Sequence, residues 1–166
     1  MDTFYTMILC ISAEWASVIV DVIIGCAVAW VLAFEVPRKL NKERSLKDFY
    51  MQELQVIKTE FNDFSKNISI GSLSAGLIKE TFKQLSIKLS DIQDSINHNL
   101  DCNINLTSQL LDMQKFVTDR AEINDQYENP NVDFEKDAVR EIGWLQERFN
   151  KNMLSAIAAI NKASAK

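Results

Sequence analysis

Apolar residues are laid out along this chain in two ways. From Trp15 to Phe34 they run almost without a break, and one acid, Asp21, stands among them. Twenty residues in helical form reach about 30 Å, the thickness of a bilayer's hydrocarbon core, so residues 15–34 are predicted to form a transmembrane helix. After Pro37 the run gives way to a rhythm. Leu46, Tyr50, Leu54, Ile57, Phe61, Phe64 and Ile68 are spaced four, four, three, four, three and four apart, the seam of a helix packed along its length. The stretch "SIGSLSAG", Ser69 to Gly76, ends that helix with two glycines and serines of the capping kind.

A second run, Ile78, Phe82, Leu85, Leu89, Ile92 and Ile96, repeats the spacing, and its phase carries through Asn99 and Asn103 to Leu106, Leu110, Met113 and Val117. Retained phase predicts one long helix with a polar layer at "NHNLDCN", Asn97 to Asn103. A turn at the same place is the alternative. "YENPNVD", Tyr127 to Asp133, reads as a loop, with Asn131 or Asp133 able to cap the next helix. The last seam, Ala138, Ile142, Leu145, Phe149, Met153, Ile157 and Ile160, completes a third helix of the domain, and its tail "AINKASAK" is expected to fray.

Only four glycines and two prolines occur in 166 residues, which favours long helices over turns and short strands. The expected fold class is therefore all-α, one N-terminal transmembrane helix followed by a cytoplasmic helical bundle or coiled-coil domain. Its expected divisions are a short extracytoplasmic stretch over 1–14, the span over 15–34, a basic juxtamembrane segment over 35–45 and the bundle over 46–166. Three narrow seams bury limited area, so association of copies is the natural supplement.

Charge fixes the expected orientation. Residues 1–34 contain no Lys or Arg, whereas residues 35–50 hold Arg38, Lys39, Lys42, Arg44 and Lys47 against Glu35, Glu43 and Asp48, a net of +2. Basic residues after the span and none before it place the C-terminal part in the cytoplasm, at the inner (plasma) membrane. Arg38, Lys39, Lys42 and Arg44 are the expected membrane-surface residues, reaching anionic headgroups, and Trp15 and Trp30 the interfacial anchors. A cleaved signal peptide needs a basic region before the apolar run and a small-residue cleavage site after it. Neither pattern is in the sequence.

Asp21 is the one costly residue, since a carboxylate at the bilayer centre costs about 2.5–3.5 kcal/mol on insertion scales. Steps of four through it give Ala13, Ser17, Asp21, Gly25, Ala29 and Ala33, all small or short. Small residues at that spacing let helices approach closely in a membrane. Ser17, Asp21, Gly25 and Ala29 are the expected pore or helix-interface seam. The acid then bonds across a helix interface, lines water inside a ring of copies, or sits near the outer interface with no role.

Little other chemistry is on offer. Cys10, Cys26 and Cys102 have no paired spacing, and the single histidine, His98, stands without partners for a metal. No GxGxxG, Walker, GxSxG or HExxH motif occurs, so an enzyme is not expected and no cofactor is implied. Arg148, Lys151 and Asn152, with Arg140 two turns earlier, read as a solvated face or as a site for a small anion. The acidic balance after residue 50, 13 basic against 17 acidic residues, argues against nucleic acid as a partner. The expected partners are the lipid bilayer, further copies of this chain and a cytoplasmic protein.

A span leading through "PRKLNKER" into the helical part over 46–166 resembles the small membrane-anchored effector and accessory proteins of CRISPR and other phage-defence systems. That resemblance implies helical parts that assemble into rings and spans that form or disturb a pore. Some such proteins carry a nuclease-like bundle marked by Arg, four to six residues, then His. Here "FNKNML" comes after Arg148 and "SDIQDSIN" precedes His98, so no catalytic residue carries over. Two readings result: a pore-forming homo-oligomer, and a membrane-tethered coiled-coil scaffold that recruits a cytoplasmic partner. A ligand-gated sensor using the last helix's basic residues is a third.

Overall fold

The computed structural model describes residues 20–164, and all regular structure among them is helical. Contacts divide the chain after Ser45 into two units. The first holds helical residues 20–30, a π-helical turn Val31–Glu35 and the first turns of α1, Val36–Ser69. Val22, Ile23, Ile24, Trp30, Leu32 and Phe34 all lie more than half exposed.

The second unit contains the rest of α1, then α2 (Ala75–Asn99), α3 (Thr107–Thr118), the short α4 (Ala121–Asp125) and α5 (Lys136–Lys162). The seam of α1 is buried as its spacing predicts, with Tyr50, Leu54, Ile57, Phe61, Phe64 and Ile68 each at most 5 % exposed. Phe61 lies against Phe149 of α5 with ring centroids 4.1 Å apart, and Phe64 meets Phe82 of α2 edge-on at 4.8 Å. Since α3 packs on both α2 and α5, the four long helices close a ring in the order α1, α2, α3, α5. One core runs through it.

The long second helix expected over residues 78–117 is not formed. α2 ends at Asn99, and residues 100–106 turn the chain before α3. Phase was a poor guide because both helices bury a heptad seam in the same core, whatever lies between them. The asparagines expected as a polar layer hold the turn instead. Asn97 Oδ1 accepts from the Ile104 N–H at 2.8 Å, and its Nδ2 donates to the Ile104 carbonyl at 3.0 Å. Gln93 Oε1 accepts from the N–H groups of Leu106 and Thr107, capping α3 from a neighbouring helix. Leu100, Ile104 and Leu106 of the turn are buried and close that end of the core. The part after Ser45 thus holds five helices rather than three.

Two smaller expectations also fail. Glu135, not Asn131 or Asp133, is the N-cap of α5, and no side chain caps it. Asp133 is occupied elsewhere, its backbone exchanging hydrogen bonds with the Gln126 side chain. The tail does not fray through Ser164: Ala163 is 9 % exposed, and the Ser164 carbonyl accepts from the Asp101 N–H at 2.8 Å. At the opposite end Ser74 caps α2, accepting from the Leu77 N–H as its position in "SIGSLSAG" suggests. Gly71 there has φ 65°, and a Cβ on it would meet the Asp133 carboxylate and the Val132 carbonyl. Glycine is required by conformation and by space.

Candidate functional site

The candidate membrane helix is built by an apolar sequence that no other described residues bury. One helical stretch, Val20–Ser69, is long and apolar enough at its beginning to cross a membrane, and that apolar part is not buried. Of the expected seam, Asp21, Gly25 and Ala29 lie on the exposed helix, and nothing stands within 4 Å of a Cβ placed on Gly25. Ser17 and Trp15 lie outside the described residues.

Pro37 explains the wide turn at the end of this apolar stretch. It has no N–H to give, and inside a helix its ring crowds the carbonyl four residues back, here that of Ala33. Opening the backbone to a π-turn over Val31–Glu35, closed by the Val36 N–H on the Val31 carbonyl, takes up the misfit. Trp30 and Phe34, one turn apart with centroids at 6.4 Å, form an aromatic pair beside it.

Arg38, Lys39, Lys42 and Arg44 come next, all exposed. At about 100° per residue, Arg38, Lys42 and Lys39 cover one side of the helix and Arg44 the other. Cations therefore encircle the axis. A helix lying flat on a membrane segregates its charges to one face; this one has apolar residues all round and then charges all round.

Within the second unit, polar side chains that sequence reasoning missed join the helices in pairs. Tyr50 Oη lies 2.8 Å from Ser95 Oγ and accepts from Asn99 Nδ2 at 2.8 Å. Ser65, fully buried, donates to Gln146 Oε1 at 2.9 Å, while Gln146 Nε2 and Asn150 Nδ2 both donate to Asn62 Oδ1. Tyr50 is itself a seam residue and Asn99 continues the phase of α2, but Asn62, Ser65, Ser95, Gln146 and Asn150 lie next to seam positions, where heptad counting records only that a helix edge is polar. Arg120 grips Glu122 through Nε and Nη2 at 2.8–3.1 Å, and these hydrogen bonds hold the Glu122 carboxyl below the usual glutamate range.

The basic residues of α5 do not converge on an anion site. Arg140 pairs with Asp137, Lys151 with Glu147, and Arg148 lies over the Trp144 ring at 5.8 Å. The hydrogen bond from Lys151 lowers the Glu147 carboxyl, as a solvated i,i+4 pair does. Asn152, one turn after Arg148, lies beside Asn103, Asn105 and Gln109 in a shallow hollow. His98 stands in the last turn of α2, at its surface. Among the described residues no three of His, Cys, Asp and Glu come together to hold a metal.

A longer hollow runs between α1 and α2. Its two adjoining parts, ≈ 420 and ≈ 410 Å³, are lined from Phe49, Glu53, Val56, Glu60, Asp63 and Asn67 on α1, facing Thr81, Gln84, Lys88, Asp91 and Ser95 on α2. The Lys88 ammonium on Glu60, at 2.8 Å, bridges it midway. No protein-family model, curated protein or solved structure matches this chain.

Proposed function

We propose that this chain is a single-span, homo-oligomeric membrane protein whose stripe of Ser17, Asp21, Gly25 and Ala29 lines or stabilises a pore, with the bundle in the cytoplasm. Phage defence, as effector or accessory, is the setting that the resemblance in architecture suggests. The observation that carries the membrane reading is the uncovered helix, apolar on every side and then ringed by cations. Water is a poor solvent for such a surface, and lipid is a good one. Lipid in turn is a poor solvent for Asp21, which a neighbouring copy or a water-filled centre relieves. Arg38 to Arg44 sit at the headgroups of the cytoplasmic leaflet.

A tethered scaffold without a pore is the second reading, favoured by the α1/α2 hollow, which offers a cytoplasmic partner a surface. Leakage of dye or ions from liposomes separates the two. Under the pore reading the wild type leaks, and Asp21→Asn keeps the assembly but alters flux or cation preference. If Asp21 instead bonds across an interface, asparagine is nearly silent and Asp21→Leu weakens association by about 1 kcal/mol. A monomer in detergent removes the pore reading, and an oligomer that never leaks leaves the scaffold.

A further inference from the structure

α5 carries a second seam. Arg140, Trp144, Arg148, Lys151, Ser155 and Ala158 are spaced four, four, three, four and three apart, and this line runs along the outer surface of the helix. At about 100° per residue it lies roughly opposite the buried one through Phe149 and Met153. It has the rhythm of a packed helix and, in Trp144 with Arg148 laid over it, the residue types that anchor interfaces.

The hollow between α1 and α2 is its complement. The α1 wall, Phe49, Glu53, Val56, Glu60, Asp63 and Asn67, is spaced four, three, four, three and four apart. Phe49 and Val56 are about half exposed there, at 52 % and 46 %. The hollow's lining holds four acids, Glu53, Glu60, Asp63 and Asp91, against the single cation Lys88. Parallel rows on two helices make a seat for a third helix, and this seat favours one bearing positive charge.

We propose that the outward seam of α5 in one copy docks into the α1/α2 hollow of a second copy, a head-to-tail contact between different faces. Such a contact repeats around a ring when the rotation closes. The inference rests on the homo-oligomeric reading above and names its interface. Register comes from the fold itself. α1 and α5 run antiparallel, with Phe61 beside Phe149 and Ser65 bonded to Gln146. Glu60 is therefore level with Lys151, Asp63 with Arg148, and Val56 with Leu154, each to within a residue. Copies around an axis along the bundle meet at equal height, so opposite charges face each other and Trp144 enters the lower hollow beside Asn67 and Thr81. On their own helix Lys151 holds Glu147, with side chains 72 % and 64 % exposed, and Arg140 holds Asp137 in a second exposed pair, both weak and easily exchanged, while Arg148 lies over the Trp144 ring.

The test uses the full chain in detergent, with Cys10, Cys26 and Cys102 changed to serine. Copies bearing only Asp63→Cys are mixed with differently tagged copies bearing only Arg148→Cys. Disulfide dimers between unlike copies are expected, with few between like copies. Separately, Asp63→Arg and Arg148→Asp are each expected to weaken association roughly tenfold, the scale of one interfacial charge pair, and to restore it when combined. An intact oligomer with no dimers of unlike copies, or with no rescue in the doubly reversed chain, overturns this interface and leaves the homo-oligomer standing. A wild type that is monomeric at every concentration removes both.

Discussion

The helix before Ser45 and the bundle after it draw on the same apolar residue types and treat them in opposite ways. Ile23 is 62 % exposed, whereas Ile78, Ile96 and Ile142 are at 0 %. The difference lies in arrangement. Apolar residues spread round a whole helix cannot all be covered by neighbouring helices of one small domain, whereas residues confined to a stripe can. Among the described residues nothing covers the first region, whereas the second supplies its own cover. Polar residues differ in the same sense. Asp21 stands in an apolar surface, while Ser65 in the bundle is fully buried with a partner in place.

The contrast predicts where substitutions register. Phe61→Ala opens a cavity against Phe149 and is expected to cost about 3–5 kcal/mol of bundle stability, whereas Ile23→Ala leaves the bundle's urea transition where it was. Equal shifts of the two midpoints would mean that the helix before Ser45 is part of the bundle's cooperative unit.

A smaller effect probes the buried polar contacts. Gln146→Leu strips the partner from Ser65 and one donor from Asn62, an expected loss of about 1–3 kcal/mol. Gln84→Leu removes a hydrogen bond to Glu80 that is solvent-exposed, and its expected effect on the same transition is close to zero. Similar losses from both would show that burial does not set the value of these bonds.

The smallest concerns pH. The Glu122 carboxyl is held low by Arg120, with side chains 14 % and 27 % exposed. A lowered acid stabilises the fold above its unfolded pKa and loses that contribution as pH falls through its folded value. Glu122→Gln is thus expected to cost about 1 kcal/mol at pH 7, a cost that shrinks as the pH falls below the usual glutamate range. A difference that persists unchanged at low pH would assign the effect to packing instead of charge.

By itself the sequence determined which residues each helix turns inward, because burial tracks periodicity. The seams through Phe61, Phe82 and Phe149 and the cap at Ser74 are written in local order. So is the candidate span with its encircling cations, since an all-round apolar run needs no fold to be recognised. Only the tertiary structure decided what happens between the helices. Asn97 and Gln93 stop α2 by bonding residues seven to fourteen positions ahead, and an intact phase through Asn99 and Asn103 cannot reveal that. The pairing of Ser65 with Gln146, and the level at which Asp63 stands relative to Arg148, depend on how α1 and α5 slide against each other. Contacts between residues more than 80 positions apart set that offset, and no count along the chain contains it.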